Sequence, residues 1–292
     1  QEFSYSAATR ASLGALHSLE PEKAKDPSGG ASSSLVVMGC ARNVASNSEA
    51  TISAIKKFSK SFELIRVMVF TNDNDDDTLA SLGSFESGIG VVVDVLHERN
   101  VPGAKNERIA HGRNTLWKYL RELQLQPDYV LMLDLEGVCN DLEGLETCLE
   151  LPVGWGGCCA NQRDIYYDIW TLRTYDDWVD CDVWYECKHK LGRSKARKMI
   201  KEDRNRRFRH VPSNVPPINV RSCFGGATLY DYAKVPIKAK HVGTKDGHPA
   251  CEHISFQKGV VMYIQPKMLN TAPSEHIPSS VRNQLRWNTT LN

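Results

Sequence analysis

The residues best suited to chemistry stand at the end of one apolar run. Tyr129-Val-Leu-Met-Leu133 leads into Asp134-Leu-Glu136, so a hydrophobic strand delivers two carboxylates at i and i+2. In a regular strand that spacing sets both on one face. Carboxylate oxygens are hard ligands, and Mg2+ or Mn2+ held by one or two of them completes its shell with water and phosphate. The chemistry expected of Asp134 and Glu136 is therefore metal-assisted holding of a nucleotide diphosphate. Upstream, Glu107-Arg-Ile-Ala-His-Gly-Arg-Asn114 carries Arg108 and Arg113 on different stripes of a helix, which lets one of them enter the cleft. Arginine bonds to phosphate are short and bidentate, so this helix beside a metal-holding strand makes a pyrophosphate site.

Further along, Tyr166-Tyr-Asp-Ile-Trp170 and Arg173 combine rings that stack on sugars with groups that bind hydroxyls. Tyr167, Asp168, Trp170 and Arg173 are candidates for an acceptor side, and core packing is the competing reading of such a cluster. Phe224-Gly-Gly226 offers backbone without side chains, and Gly225 and Gly226 would let a ligand approach closely.

The elements that must position these groups alternate. Leu35 to Gly39 and Leu64 to Phe70 read as buried strands around a helix within Ser46 to Phe62. Val91 to Leu96, a helix over Glu107 to Leu123 and the Tyr129 strand repeat the unit. Such βαβα order predicts an α/β fold with a mostly parallel central sheet flanked by helices, and ligands beyond the carboxyl ends of the strands. The loops so nominated are Cys40 to Asn43, Thr71 to Asp77 and Asp134 to Val138. The acidic run in the second is no EF-hand, because Thr78 and Ser84 stand where Gly and Glu are required.

Residues 1–34 read as a stalk, 35–273 as one catalytic domain divided near residue 150, and 274–292 as a polar tail. With 292 residues, 36 Lys+Arg and 35 Asp+Glu, the chain has a core but no global field to gather nucleic acid or an anionic membrane. Lys188 to His210 concentrates cations, yet Phe208 is its lone aromatic, so a stacking platform for nucleic acid is missing. Nine cysteines without a CxxC pair fit either one to three disulfides in a secretory lumen or buried thiols. There is no apolar run long enough to span a membrane, so a membrane is expected only through an N-terminal anchor missing from this chain.

The ordered set Cys40-Ala-Arg-Asn43, Glu107 to Asn114, Asp128 to Glu136, Tyr167-Asp-Ile-Trp170, Phe224-Gly-Gly226 and Cys251-Glu-His253 resembles the capsule-associated fungal mannosyltransferases and related algal and algal-virus glycosyltransferases, from about Leu35 to Leu269. The resemblance implies a GT-A (Rossmann-like) fold, Mn2+ or Mg2+, a UDP- or GDP-sugar donor and a glycan acceptor. It implies metal ligation by Asp134, Glu136 and His253, with DxE here where the family pattern has DxD. Ala41, Arg42, Asn43, Asn72, Asp77 and Leu135, with Arg108 and Arg113, would bind donor. Glu252 and Asp168 are the candidate catalytic carboxylates, Glu252 as general base or as a binder of sugar hydroxyls. The family favours the Golgi or another secretory lumen and a type II membrane protein, with the cytosol as the setting for a viral relative; the sequon Asn288-Thr-Thr290 agrees with the lumen. A nucleotidyltransferase stays open, although the loop after the first strand lacks its glycines. So does a carbohydrate- or nucleic-acid-binding module using the basic stretch.

Overall fold

The computed structural model describes residues 4–5, 33–137, 139–183, 202 and 204–281. The expected stalk, apart from residues 4–5 and 33–34, most of the basic stretch and the end of the tail lie outside them. The strands are β1 (Ser4–Tyr5), β2 (Ser34–Ala41), β3 (Glu63–Asn72), β4 (Val93–Glu98), β5 (Tyr129–Asp134), β6 (Gly157–Gln162), β7 (Arg173–Thr174), β8 (Ile218–Ser222), β9 (Ala227–Asp231), β10 (Thr244–Lys245), β11 (His248–Pro249) and β12 (Met262–Asn270). The α-helices are α1 (Ser48–Phe58), α2 (Thr78–Gly83), α3 (Phe85–Ile89), α4 (Lys105–Glu122) and α5 (Glu252–Phe256).

All strands but β10 and β11, which form a separate hairpin, join one sheet in the order β1-β4-β3-β2-β5-β9-β6-β12-β8-β7. Within it β2, β3, β4, β5, β6, β7 and β12 point one way, and β1, β8 and β9 the other. The architecture is thus mixed α/β around a large, mostly parallel central sheet, as the alternating pattern predicts. β2 pairs in parallel with β3 and β5 on its two sides, which is why Leu35, Val36, Val37 and Met38 form a continuous apolar run with no polar face.

Helix α4 covers this part of the sheet with Ala110, Leu116, Trp117, Tyr119 and Leu120. Glu107 reaches back to accept the Ala104 N–H at 2.8 Å, half of a capping box at its start. Gly112 lets the helix lie close, since a Cβ there would stand 2.9 Å from Cys40 Sγ and collide with the Phe70 ring. The far half of the sheet is cross-linked. Adjacent Cys158 and Cys159 in β6 form disulfides to Cys148 and Cys223, and successive strand residues point to opposite faces. Cys181 is disulfide-bonded too, while Cys40, Cys139 and Cys251 are free thiols. Among the described residues no helix is long and apolar enough to cross a membrane.

Candidate active site

The carboxyl ends of β2, β3 and β5 meet in a cavity of about 200 Å3. Ala41, Arg42 and Asn43 form one wall with Asn72, and Lys105, Arg108 and Glu136 form the other. The first wall is tied to the acidic loop. Asn43 takes a left-handed backbone (φ 56°), donates its N–H to Asn74 and accepts from the Asp75 N–H at 2.8 Å. Arg42 Nε donates to Asp73 O at 3.0 Å. Asp73 accepts the Asn100 N–H at 2.6 Å, and Asp76 accepts both the Thr78 N–H and hydroxyl. These bonds hold both carboxyls below the usual range, led by Asn72 for Asp73 and Thr78 for Asp76. The acidic run is therefore a clasp joining two loops. Asp77 stands exposed at the start of α2, outside the cavity wall.

Strand β5 ends at Asp134, and Leu135-Glu136-Gly137 turn away. The regular-strand expectation for Asp134 and Glu136 is thereby modified: Leu135 is buried in the core, and Glu136 is exposed on the cavity wall with Lys105 Nζ 4.0 Å from its carboxylate. Asp134, paired with the cavity residue Cys40 across β2 and β5, keeps 35% of its side chain accessible. Burial, partly offset by Arg113, pushes its carboxyl up to about 6.

Arg113 turns inward on α4, only 3% exposed, and is the hub of the site. It donates to Asp134 Oδ1 at 2.8 Å, to His253 Nε2 at 2.6 Å, and to Glu252. It thereby joins β5 to α5. Its guanidinium lies 4.9 Å from the centre of the Phe224 ring, on which His253 also stacks. Burial keeps His253 and the neighbouring His241 well below the usual histidine range, so both rings are neutral. Glu252 is 5% exposed, with its carboxylate committed to Arg113. Arg108, by contrast, lines the cavity and donates to Gly103 O at 2.9 Å.

Asp168 shares the same floor. Its Oδ1 accepts from the Thr171 hydroxyl at 2.9 Å and its Oδ2 from the Gly225 N–H at 3.0 Å, and burial raises its carboxyl. Gly225 and Gly226 both have positive φ, 64° and 86°, and a Cβ on Gly225 would strike Ala160 O, so the pair is fixed by geometry. Gly226 O accepts the Asp134 N–H at 2.8 Å, which binds this loop to the strand end. Tyr167 is 8% exposed, with its ring 5.4 Å from His276. Trp170 Nε1 donates to Asp182 at 3.0 Å, and Arg173 lies 3.6 Å from the same carboxylate while its Nη1 donates to Trp170 O. Half-buried Trp170 and buried Arg173 thus form a knot with buried Asp182.

The structure thus gathers Arg42, Asn43, Asn72, Arg108 and Glu136 around one cavity and Arg113, Asp134, Glu252 and His253 in one network. Sequence reasoning missed Lys105 and Ile109 in the cavity wall. Both were findable, because Lys105, Arg108 and Ile109 are spaced i, i+3, i+4 and share one helix face.

No protein-family model matches the chain, and neither does any curated protein. Among solved structures it is similar to the mannosyltransferase PcManGT from Pyrobaculum calidifontis, in complex with GDP-Man and Mn2+, at 12% identity and TM-score 0.46, over 96% of this chain and 72% of that one. It is also similar to glucosyl-3-phosphoglycerate synthase from Mycobacterium tuberculosis in complex with UDP, at 11% identity and TM-score 0.39, over 86% and 76%. S. aureus TarS matches at 12% identity and TM-score 0.43, over 86% of this chain and 39% of TarS. All three TM-scores lie under 0.5.

Proposed function

We propose that this chain is a metal-dependent glycosyltransferase of GT-A type that moves a sugar from a nucleotide-diphosphate sugar to a hydroxyl of a glycan acceptor. The observation that carries the reading is the cavity at the carboxyl ends of β2 and β3, walled by Arg42, Asn43, Asn72 and Arg108 and opening beside the β5 carboxylate Asp134. A parallel sheet binds nucleotides at such a rim. Motif order supports setting the chain beside the capsule-associated fungal mannosyltransferases and their algal relatives, and a hexose or pentose donor follows from that.

Among the described residues no three His, Cys, Asp or Glu side chains form a ready-made metal cage. The donor set still fits a hard divalent ion that leans on one or two carboxylates and on phosphate oxygens. Asp134 has only Oδ1 on Arg113 and keeps a third of its side chain open, and Glu136 stands on the adjoining wall. Asp134 and Glu136 would hold the ion; His253 Nε2 is already engaged by Arg113. When bound, such an ion neutralises charge on the leaving diphosphate.

The protein's own contributions follow from its geometry. Arg42 and Arg108 offer charge-assisted bonds to phosphate. Asn43 and Asn72 offer amides to base or ribose. Arg113 spreads positive charge beneath Asp134 and fixes its orientation. Asp168, with its carboxyl raised by burial, is the candidate to take the proton of the acceptor hydroxyl. Glu252 holds Arg113 in place. The disulfides support an oxidising secretory lumen as the working compartment.

Calorimetry with UDP and GDP, each with Mn2+, tests the reading. Metal-dependent binding of one nucleotide, lost in Arg42→Ala, supports it; absence of binding by either with metal present contradicts it.

A further inference from the structure

A second cavity, of about 300 Å3, opens at the carboxyl ends of β6 and β12, on the same rim of the sheet as the first. Gln162, Arg163, His210, Ser213, Asn214 and Leu269 line it. None of the site candidates read from the sequence is among them.

One step of hydrogen bonding separates this cavity from the catalytic floor. Gln162 is fully buried, donates to Gly225 O at 3.1 Å and accepts the Tyr167 N–H at 3.2 Å. Asn270 also donates to Gly225 O, at 2.8 Å. Gly225 in turn gives its N–H to Asp168, and Gly226 accepts from Asp134. The Gly225-Gly226 turn is therefore a shared wall, with the cavity behind it and Asp134 and Asp168 before it.

Resting on the glycosyltransferase reading, the geometry points to this second cavity as an outlying subsite for a neutral saccharide unit of the acceptor, behind the turn that separates it from the reacting hydroxyl at Asp168. Neutrality follows from charge. The Arg163 guanidinium in the wall is already met by Glu143 at 2.6 Å and Asp141 at 3.4 Å, so an anionic ligand would find its cation spent. Hydroxyl groups find partners instead. His210 Nδ1 is 2.6 Å from Asp164 O, a carbonyl that can only accept, so Nδ1 donates there and the Nε2 edge of the ring is turned to a ligand's hydroxyls. Ser213 and Asn214 are exposed and supply donors and acceptors of both kinds. Beside the wall, Asn161 donates to Val211 O while its own buried Oδ1 has no hydrogen-bond partner. The volume stands at the lower end of small-ligand clefts, on the scale of a sugar residue.

The test is saturation-transfer NMR with a panel of neutral methyl hexopyranosides and methyl pentopyranosides, and the corresponding sugar 6-phosphates. It is run on the full chain saturated with nucleoside diphosphate and Mn2+. The probes are compared on wild type, Asn214→Trp and Ser213→Trp, whose exposed sites accept the larger ring without disturbing the core. At least one neutral glycoside should bind wild type and bind each tryptophan variant at least tenfold more weakly, with calorimetric nucleotide affinity changed less than about twofold. Equal glycoside binding by wild type and both variants overturns the assignment, and so does wild type that takes nucleotide but no glycoside. A 6-phosphate that binds more tightly than its neutral parent, by an advantage lost in Asn214→Trp, overturns the neutral class. Glycoside binding that the tryptophans abolish in a protein indifferent to both nucleotides would sustain the saccharide cavity and refute the donor site instead.

Discussion

The two halves of the sheet are held by different means. From β4 to β5 the strands are parallel, apolar on both faces and covered by α4, so this half is consolidated by burial of side chains such as Val37, Met38, Val69 and Leu131. From β9 to β7 most neighbours reverse direction, with β6 and β12 the parallel exception, and buried amides and disulfides join them: Gln162 to Asn270, Gln257 to Cys223 and Tyr230, Cys159 to Cys223. The contrast teaches that the rim carrying Arg42 and Asn43 can rest on generic hydrophobic packing, whereas the rim behind Gly225 needs specific cross-links.

Breaking a cross-link is the severest test of that contrast. Cys159→Ser with Cys223→Ser opens a link spanning 64 residues. A closed loop of that size is worth about 4 kcal/mol in the chain-entropy model. Chemical denaturation should show a loss of that order, and hydrogen exchange should quicken around Phe224 to Gly226 while β2 and β3 stay protected. Uniform loss of protection across both halves would erase the distinction.

A change on the β4-to-β5 side should cost less. Gly112→Ala forces a methyl toward Cys40 and Phe70, and overpacking of this kind costs about 1–3 kcal/mol. The same denaturation curves would read it. A neutral or stabilising outcome would show that α4 has slack above the sheet.

The seam between the halves carries a pH signature. His241 and His253 are 2% exposed and neutral in the folded protein, with protonation depressed by burial first and by Arg113 next. The unfolded chain takes up those protons below about pH 6.5 and the folded one does not. Stability should therefore fall as pH drops through that value, with about 1.4 kcal/mol per pH unit from each ring. His241→Phe should remove one ring's share of the slope. An unchanged slope would show that His241 is protonated in the folded state.

The smallest stability effect belongs to Arg42→Ala. Its pair with Asp75 is exposed and 3.5 Å long, worth less than about 1 kcal/mol. Nucleotide affinity, measured alongside, should drop far more than stability.

The half from β4 to β5 was legible because its physics is periodic. The apolar run Leu35 to Gly39, the Glu107 to Leu123 helix and the Tyr129 strand agree with the observed elements to within a few residues. The acidic clasp was not, because bonds such as Asn43 to Asn74 and Asp73 to Asn100 join positions whose proximity only the fold creates. For the same reason the spacing of Arg108 and Arg113 said that one of them enters the cleft, but not which, nor that Glu252 and His253 meet Arg113. In the far half, Cys158-Cys159 announced nothing about pairing, and Asn161 and Gln162 looked like ordinary polar residues until β12 lay beside them.

Asp134 carries the central claim. Calorimetric titration of Mn2+ together with the preferred nucleoside diphosphate, on wild type and Asp134→Asn at pH 7.5, puts it to the test most directly. The account predicts metal-dependent nucleotide binding in wild type, weakened at least tenfold in the variant while circular dichroism stays the same. Equal affinity in both proteins would contradict it.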